Sequence, residues 1–523
     1  MTNLVDHLPL SPRADGVAAF EPGHPEVLRG VRSVTHARGL TLIEMLVALA
    51  VTLVMMAAVV NLFANMSASI RNRRAAIETG SQLRQVRNRL AMDLSGATCR
   101  GSTWQDPAVD QGYIEIIEGE WSDKNPSAQI LPANVNTANG IDTTISLIPS
   151  SQAFDSETGS VPGGNIGAGS VTDGRALGDW DDVLALTVRS ESDPFTARVR
   201  NLATGNDELE ESPLAEVIWL AREQGPSTPA NPNDGMRRIY RRVLLIAPWL
   251  GPFGNNPNDS PQNVSAHWDP SLGRWVANTL GDLTKRENRA TRRGNSTFPH
   301  FWDPHDVAAD FDYKRVLPGN TSIDSLVLSN ALAFDVRAFD PGAPLYASGN
   351  SVLEPNDLGW VDAMTTAGVA NASGYGAYCD IGWGYDPLAG SMAYQITSAP
   401  AGAPLPVFNE IRPAGYHRIS SPRSNNGGLY PAVYDTWSYH YENDGINQDS
   451  AWQTSAAAWQ SNTIDQGANG LDDDNANGVD DRGERETSPP YDAPLRGVKV
   501  ILRVYEPDSR QIRESSVTHS FKQ

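Results

Sequence analysis

The sequence predicts an α+β protein: a long N-terminal helix followed by a β-rich head that carries large loop insertions. Three observations predict it. Residues 39–66, GLTLIEMLVALAVTLVMMAAVVNLFANM, are almost continuously apolar, and the stretch that follows, Ser67 to Ala97, contains no proline. Beyond it lie short runs rich in β-branched residues and bounded by turn formers, such as DVLALTV, EVIWLA, RIYRRVLLI and VKVILRVY. The 45 glycines and 36 prolines among 523 residues favour a loop-rich β architecture over a helical one.

About 20 apolar residues at ~1.5 Å rise match the ~30 Å hydrocarbon thickness of a bilayer, so residues 40–66 can span one as a helix. Glu44 sits at the entrance to the apolar run. A carboxylate costs about 2.5–3.5 kcal/mol at the centre of such a helix and less near the interface. Simple anchoring has no use for it, which makes Glu44 a candidate functional residue; the bland alternative is a signal anchor with a stray acid. The helix is expected to continue as a stem over 67–98. Ile70, Ile77, Leu83, Val86, Leu90 and Leu94 recur near helical spacing, with arginines on much of the other face. Gly80 weakens this stretch by ~1 kcal/mol relative to alanine without forbidding it. From Leu40 to Leu94 the helix would run roughly 80 Å.

Gly39-Leu40-Thr41-Leu42-Ile43-Glu44 resembles the start of type IV prepilins and type II secretion pseudopilins. The resemblance implies that residues 1–39 are a leader removed by prepilin peptidase on the cytoplasmic side. Leu40 then becomes the first mature residue, which in that family is usually methylated, and Glu44 the family's glutamate at the fifth mature position. It also implies a single-pass protein of the inner membrane with its head in the periplasm or outside, assembling with other pilins or pseudopilins through the N-terminal helix. The physics agrees, because a buried carboxylate needs a cation and a neighbouring subunit's freed amine can supply one. Two features depart from the family pattern: Leu40 stands where phenylalanine is preferred, and the leader is long, with Pro9, Pro12, Pro22 and Pro25 opposing folded structure in it. Arg29, Arg32 and Arg38 before the span and Arg71, Arg73 and Arg74 after it leave orientation unsettled by charge alone.

The net charge of −21 is uneven: residues 1–100 hold 11 Lys/Arg against 7 Asp/Glu, a balance of +4, and the remainder 30 against 55, a balance of −25. So acidic a head argues against nucleic-acid binding, which needs a basic surface. Cys99 and Cys379 are the two cysteines. They can pair in an oxidising compartment or stay as two free thiols, one or both buried.

Within the head (99–523), strands are expected at Asp182–Val188, Glu216–Ala221 and Arg238–Ile246, the last two joined by a Pro/Asn/Asp/Gly segment as a long hairpin. A short helix is expected near Val276–Arg293, a strand pair at Ile323–Leu328 and Ala333–Phe339, and a closing β-hairpin over 497–521. The strand segments DDVLALTV, EVIWLARE with RRIYRRVLL, LVLSNALAFDVRAFD and the closing hairpin resemble the head of J-type pseudopilins and W-type minor pilins. The chain is far longer than that family's usual length, so 100–180, 248–320 and 340–495 are expected as insertions. GGNIGAGS at 163–170 lacks the following helix and lysine of a phosphate loop. His300 and His305, with Pro304 between them, do not share a helical face and read as solvated loop histidines.

The most specific pattern in the head is Asp473 to Glu484, DDNANGVDDRGE, which fits D-x-[DN]-x-[DN]-G-x5-E. Such a loop offers hard oxygen ligands to calcium, here Asp473, Asn475, Asn477, the Val479 carbonyl, Asp481 and Glu484 around the turn at Gly478. Asp480 occupies an ordinarily aliphatic position, and no amphipathic helices flank the loop, so it is not a helix-loop-helix sensor. Asp465 to Asp472 nearly repeats it, offering Asp465, Asn469 and Asp472 as a second loop, and Asn443 to Asp449 is a weaker third copy. The calcium-type loops thus span 443–484; the alternative is an acidic solvated loop.

Together these features predict a minor pseudopilin or minor pilin, a structural and non-catalytic filament subunit. The rival is a free-standing membrane-anchored calcium-binding or adhesin module with a prepilin-type leader, suggested by the Tyr/Trp-rich segment 340–495. A secreted hydrolase has no support from GxSxG or HExxH motifs, neither of which occurs.

Overall fold

The computed structural model describes residues 41–118, 182–200, 205–223, 237–290 (without 252 and 258–260), 298, 300, 325–410 (without 350, 356, 358–359, 387–390, 393–395 and 397), 432–448 (without 447), 465–506 (without 474 and 482–483) and 511–521. The leader with Gly39 and Leu40, the loop 163–170, His305 and much of the segment 100–180 lie outside the described residues. The chain divides into two compact units, Met1–Ser67 and Ala68–Gln523.

Helix α1 runs from Leu42 to Ser95. In the first unit every described residue from Thr41 to Ser67 is exposed. This is the one helix among the described residues long and apolar enough to cross a membrane. In the second unit the helix acquires a buried face: Ala75, Thr79, Leu83, Val86, Leu90, Asp93 and Leu94. These positions recur every three or four residues, the spacing that aligns side chains on one face. Ile70 and Ile77, expected on that face, stand exposed instead at 63% and 70%. Ile77 lies roughly 200° around the helix from both Ala75 and Thr79, so the two cannot share a face. The helix stops at Gly96, whose carbonyl accepts the Arg189 N–H at 2.7 Å. A Cβ at Gly96 would collide with the Arg189 carbonyl, so only glycine admits this approach.

The head is built on a ten-stranded sheet. In chain order the strands are β1 (Trp104–Gln105), β2 (Ile114–Ile117), β3 (Val183–Arg189), β4 (Phe195–Arg200), β5 (Asp207–Ser212), β6 (Leu214–Glu223), β7 (Arg237–Leu245), β8 (Ala266–Asp269), β9 (Arg274–Ala277), β10 (Ser325–Ser348) and β11 (Ser351–Leu353). After helix α2 (Trp360–Ala367) come β12 (Gly374–Cys379), β13 (Tyr385–Asp386), β14 (Ser391–Met392), β15 (Val433–Asp435), β16 (Trp437–Ser438), β17 (Gly497–Glu506) and β18 (Gln511–Ser520). The main sheet runs β15-β2-β3-β6-β7-β10-β17-β18, with β11 and β12 also paired to β10. The expected hairpins are present: β6 and β7 pair from Ala215↔Leu245 to Glu223↔Arg237, and β17 and β18 from Gly497↔Ser520 to Glu506↔Gln511. One core joins the stem's Leu83, Val86, Leu90 and Leu94 to sheet residues such as Leu184, Trp219, Phe334 and Val500. Each such aliphatic side chain contributes about 1.5–3 kcal/mol on burial.

Two expected elements need correction. The strand pair around 323–339 is a single strand, β10, whose successive thirds pair with β7, β17 and β12. Asn330, in the left-handed region at φ 55°, makes an irregularity within the strand rather than a turn between two. The short helix near Val276–Arg293 is replaced by β9 and two 3-10 turns, Asp282–Thr284 and Arg286–Asn288. Of the segments expected as insertions, 100–180 supplies β2 and 340–495 supplies β12 and β15 to the main sheet, while β8 and β9 of 248–320 form a separate two-stranded sheet. Among the described aromatic residues of 340–495, Trp360, Trp383, Tyr434, Trp437 and Tyr491 are buried. These five belong to the core.

Candidate functional site

The N-terminal end of α1 is closed by a reciprocal pair. The Thr41 N–H and hydroxyl donate to the Glu44 carboxylate at 2.9 and 3.0 Å, and the Thr41 hydroxyl accepts the Glu44 N–H at 3.3 Å. This is a capping box, and the sequence Thr41-x-x-Glu44 carried its signature. It aims the acid back at the amino end of the helix.

The stem is fastened to the sheet by an ion pair. Asp93 accepts from Arg241 Nε and Nη2, each at 2.7 Å, and from the Trp219 indole N–H at 2.8 Å. Asp93 and Arg241 are only 2% and 6% exposed. Planar two-point pairing of this kind is the strong form of the interaction. The Thr79 hydroxyl adds a hydrogen bond to Glu506 at the end of β17. Sequence reasoning missed Asp93, because one acid in an arginine-rich stem looks like part of a solvated face.

A second buried network holds the 3-10 turns. Arg289 Nη1 reaches Glu115 at 3.2 Å and Asp435 at 2.8 Å, and its guanidinium lies 4.0 Å from the centre of the Tyr113 ring. Arg286 pairs with Asp435 and, at 3.5 Å, with Glu115. Glu216 accepts from Tyr113 Oη at 2.7 Å, Ser265 Oγ at 2.6 Å and the Ala290 N–H at 3.1 Å. Two cations against two of these carboxylates, all buried, make a structural scaffold.

Glu118, at the end of β2, has a different environment. One carboxylate oxygen accepts the Ile381 N–H at 2.9 Å, and the other has no hydrogen-bond partner among the described residues. Burial, reinforced by the Asp182, Asp380 and Asp335 carboxylates, holds its carboxyl well above the usual range. Arg337 offsets part of that charge, standing 2.7 Å from Asp335 and 3.4 Å from Asp380. A carboxyl raised in the folded state gives stability that is complete below its unfolded value of about 4.3 and is lost as pH rises through the folded one. Glu118→Gln, permanently neutral, should therefore melt above the parent at neutral pH, by at least about 2 °C, the shift expected per kcal/mol in a large domain. The two should converge near pH 4; equal melting temperatures at neutral pH would contradict this reading.

The acidic loops fold as a linked set. Glu484 accepts the backbone N–H groups of Asp473 and, at 3.1 Å, Asp481, while Gly470 donates to Asp480 at 3.0 Å. Asn469 Nδ2 donates to Asp473 at 2.6 Å. Asp465 accepts the Gly445 N–H at 3.0 Å, which ties the second loop to the third copy. Asn475, Asn477, Gly478 and Asp480 all have positive φ, as a tight oxygen-lined turn requires. The donor set suits a hard cation in kind. Among the described residues, however, no three His, Cys, Asp or Glu side chains are gathered closely enough to form a metal centre. Asp472 and Val479 are exposed.

Cys99 and Cys379 are separate free thiols, both buried. Burial pushes the Cys99 thiol up to about 11 and Cys379 well above its ordinary value, so neither is a reactive thiolate at neutral pH. His300 packs edge-on to Phe298 and stands 3.8 Å from Glu287.

No curated protein and no solved structure matches the chain. Residues 35–60 match the family model of the prokaryotic N-terminal methylation motif, which covers the Gly39–Glu44 signal and the first part of α1. What the chain shares with known proteins is thus a prepilin-type amino terminus, opening a helix fit for membrane anchoring.

Proposed function

We propose that the chain is a minor pseudopilin or minor pilin, a non-catalytic structural subunit of a type II secretion or type IV pilus-like filament. Prepilin peptidase would cut after Gly39, leaving Leu40 as the amino terminus. The observation that carries this reading is the methylation motif at 35–60, set on an exposed apolar helix. The buried Asp93–Arg241 pair supports it further, since a helix that transmits assembly to a head must be fastened to that head. Before assembly the chain would sit in the inner membrane with its head in the periplasm or outside. Its partners would be the peptidase and other pilins or pseudopilins, met through the N-terminal helix. The J-type or W-type character of the head belongs to the same proposal. Shearing filaments from cells tests it: the mature chain should co-sediment with the other subunits, and its confinement to the membrane fraction would overturn the filament role.

We also infer that calcium orders the loops 443–484, with Asp473, Asn475, Asn477, the Val479 carbonyl, Asp481 and Glu484 as the principal ligands and Asp465, Asn469 and Asp472 as a second set. The support is the all-oxygen donor set and the left-handed turn residues. Without a cation these acids repel one another, so binding would appear as folding free energy. Calcium should raise the melting temperature and protease resistance of the full chain, and Asp473→Ala should erase most of the gain. Equal melting temperatures in chelator and in calcium would remove the inference.

A further inference from the structure

The head contains a cleft of about 480 Å³ that the assembly role leaves unused. It lies between the β8–β9 hairpin, the 3-10 turns, Phe298 and His300, and residues Tyr441, Asp444, Ile446 and Gln448. Its size falls within the ~300–1,000 Å³ usual for small-ligand sites.

Aromatic rings make its apolar wall. Trp268 and Trp275 face each other across the hairpin, edge to face at 5.9 Å, and Phe298 packs against Tyr441 at 5.1 Å. Both tryptophans are partly exposed, unlike the buried aromatics of the core. The hairpin is held ready: Asp269 accepts the Ser271 N–H at 2.8 Å, the Ser271 hydroxyl at 2.6 Å and the Leu272 N–H at 3.1 Å across the turn. A wall ordered in advance loses little freedom on binding.

The polar wall mixes donors and acceptors. Glu287 is oriented by the Tyr441 hydroxyl, which donates to it at 2.8 Å. Asp444 accepts from Gln448 Nε2 at 2.7 Å, which fixes that amide; its oxygen has no hydrogen-bond partner among the described residues, although Gln448 is only 5% exposed. Lys285 lines the same cleft as a donor. An anion entering here would meet Glu287, Asp444 and Asp269, and a cation would meet Lys285. A neutral ligand rich in hydroxyls, which donate and accept alike, is the class that both walls satisfy. The apolar faces of pyranose rings suit the flat indoles.

We propose that this cleft binds a neutral oligosaccharide, with sugar rings against the Trp268–Trp275 pair and hydroxyls shared among Lys285, Glu287 and Asp444. The test is calorimetric titration of the full-length chain, held in a detergent without a sugar headgroup, with cellotriose, maltotriose and N-acetylated chitotriose. At least one should bind saturably, and Trp268→Ala should weaken it by about tenfold with an unchanged melting temperature. If Trp268→Ala melts lower, Lys285→Met provides the same comparison. Failure of all three sugars, or equal affinity in the variants, would overturn the proposal. So would preferential binding of hexalysine or dextran sulfate, which would make charge the basis of recognition. The readout is binding alone, so it stands or falls separately from filament incorporation.

Discussion

Asp93→Ala is expected to lower the unfolding free energy by about 3–5 kcal/mol, the cost of stripping one partner from a buried ion pair. The loss exceeds that of the three hydrogen bonds because Arg241 stays behind, 6% exposed and uncompensated, together with the Trp219 indole N–H. The pair bridges the stem helix and β7, so the damage should be local in a diagnostic way. Denaturant unfolding should show the loss in stability, and limited proteolysis should cut within residues 68–95 before it cuts the sheet. The double variant Asp93→Leu/Arg241→Met should recover most of that stability, since replacing a buried pair by apolar side chains is often neutral or stabilising. If the two losses instead add, the pair is not the fastening that the geometry indicates.

Glu44→Gln is expected to leave cleavage after Gly39 intact and to remove the chain from filaments, by about tenfold or more, because an unmatched charge in the assembly is worth several kcal/mol. The choice of glutamine matters. In the capping box the carboxylate accepts from Thr41, and an amide oxygen can do the same. A role confined to capping would survive the change; a role as counter-charge to a neighbour's amine would not. Normal incorporation of Glu44→Gln would favour the free-standing anchored module. Loss of cleavage would instead place Glu44 in peptidase recognition.

The parts legible in the sequence were those encoded locally. The Gly39–Glu44 signal is contiguous, and β6, β7, β17 and β18 are long enough for pattern and turn residues to mark them. Strand β10 reads as two strands because Ser329-Asn330 imitates a turn, whereas the left-handed Asn330 only kinks the strand. Strand β2 escaped because four buried residues among glycines and acids carry too little pattern. The β4–β5 hairpin escaped for the opposite reason: Asp207, Glu208, Glu210 and Glu211 give β5 the composition of a loop. Asp93, Arg286 and Arg289 were invisible as core residues, since a charged side chain reads as solvent-facing until its distant partner is known. The calcium-type loop was legible as a pattern, but a pattern cannot show whether its carboxylates converge.

The central claim is that the amino terminus is processed as a prepilin, and the mass of the mature chain's N-terminal peptide tests it most directly. The account predicts a peptide that begins at Leu40, with or without a single methyl group on its amine. A peptide that begins at Met1, in cells whose prepilin peptidase is active, would contradict it.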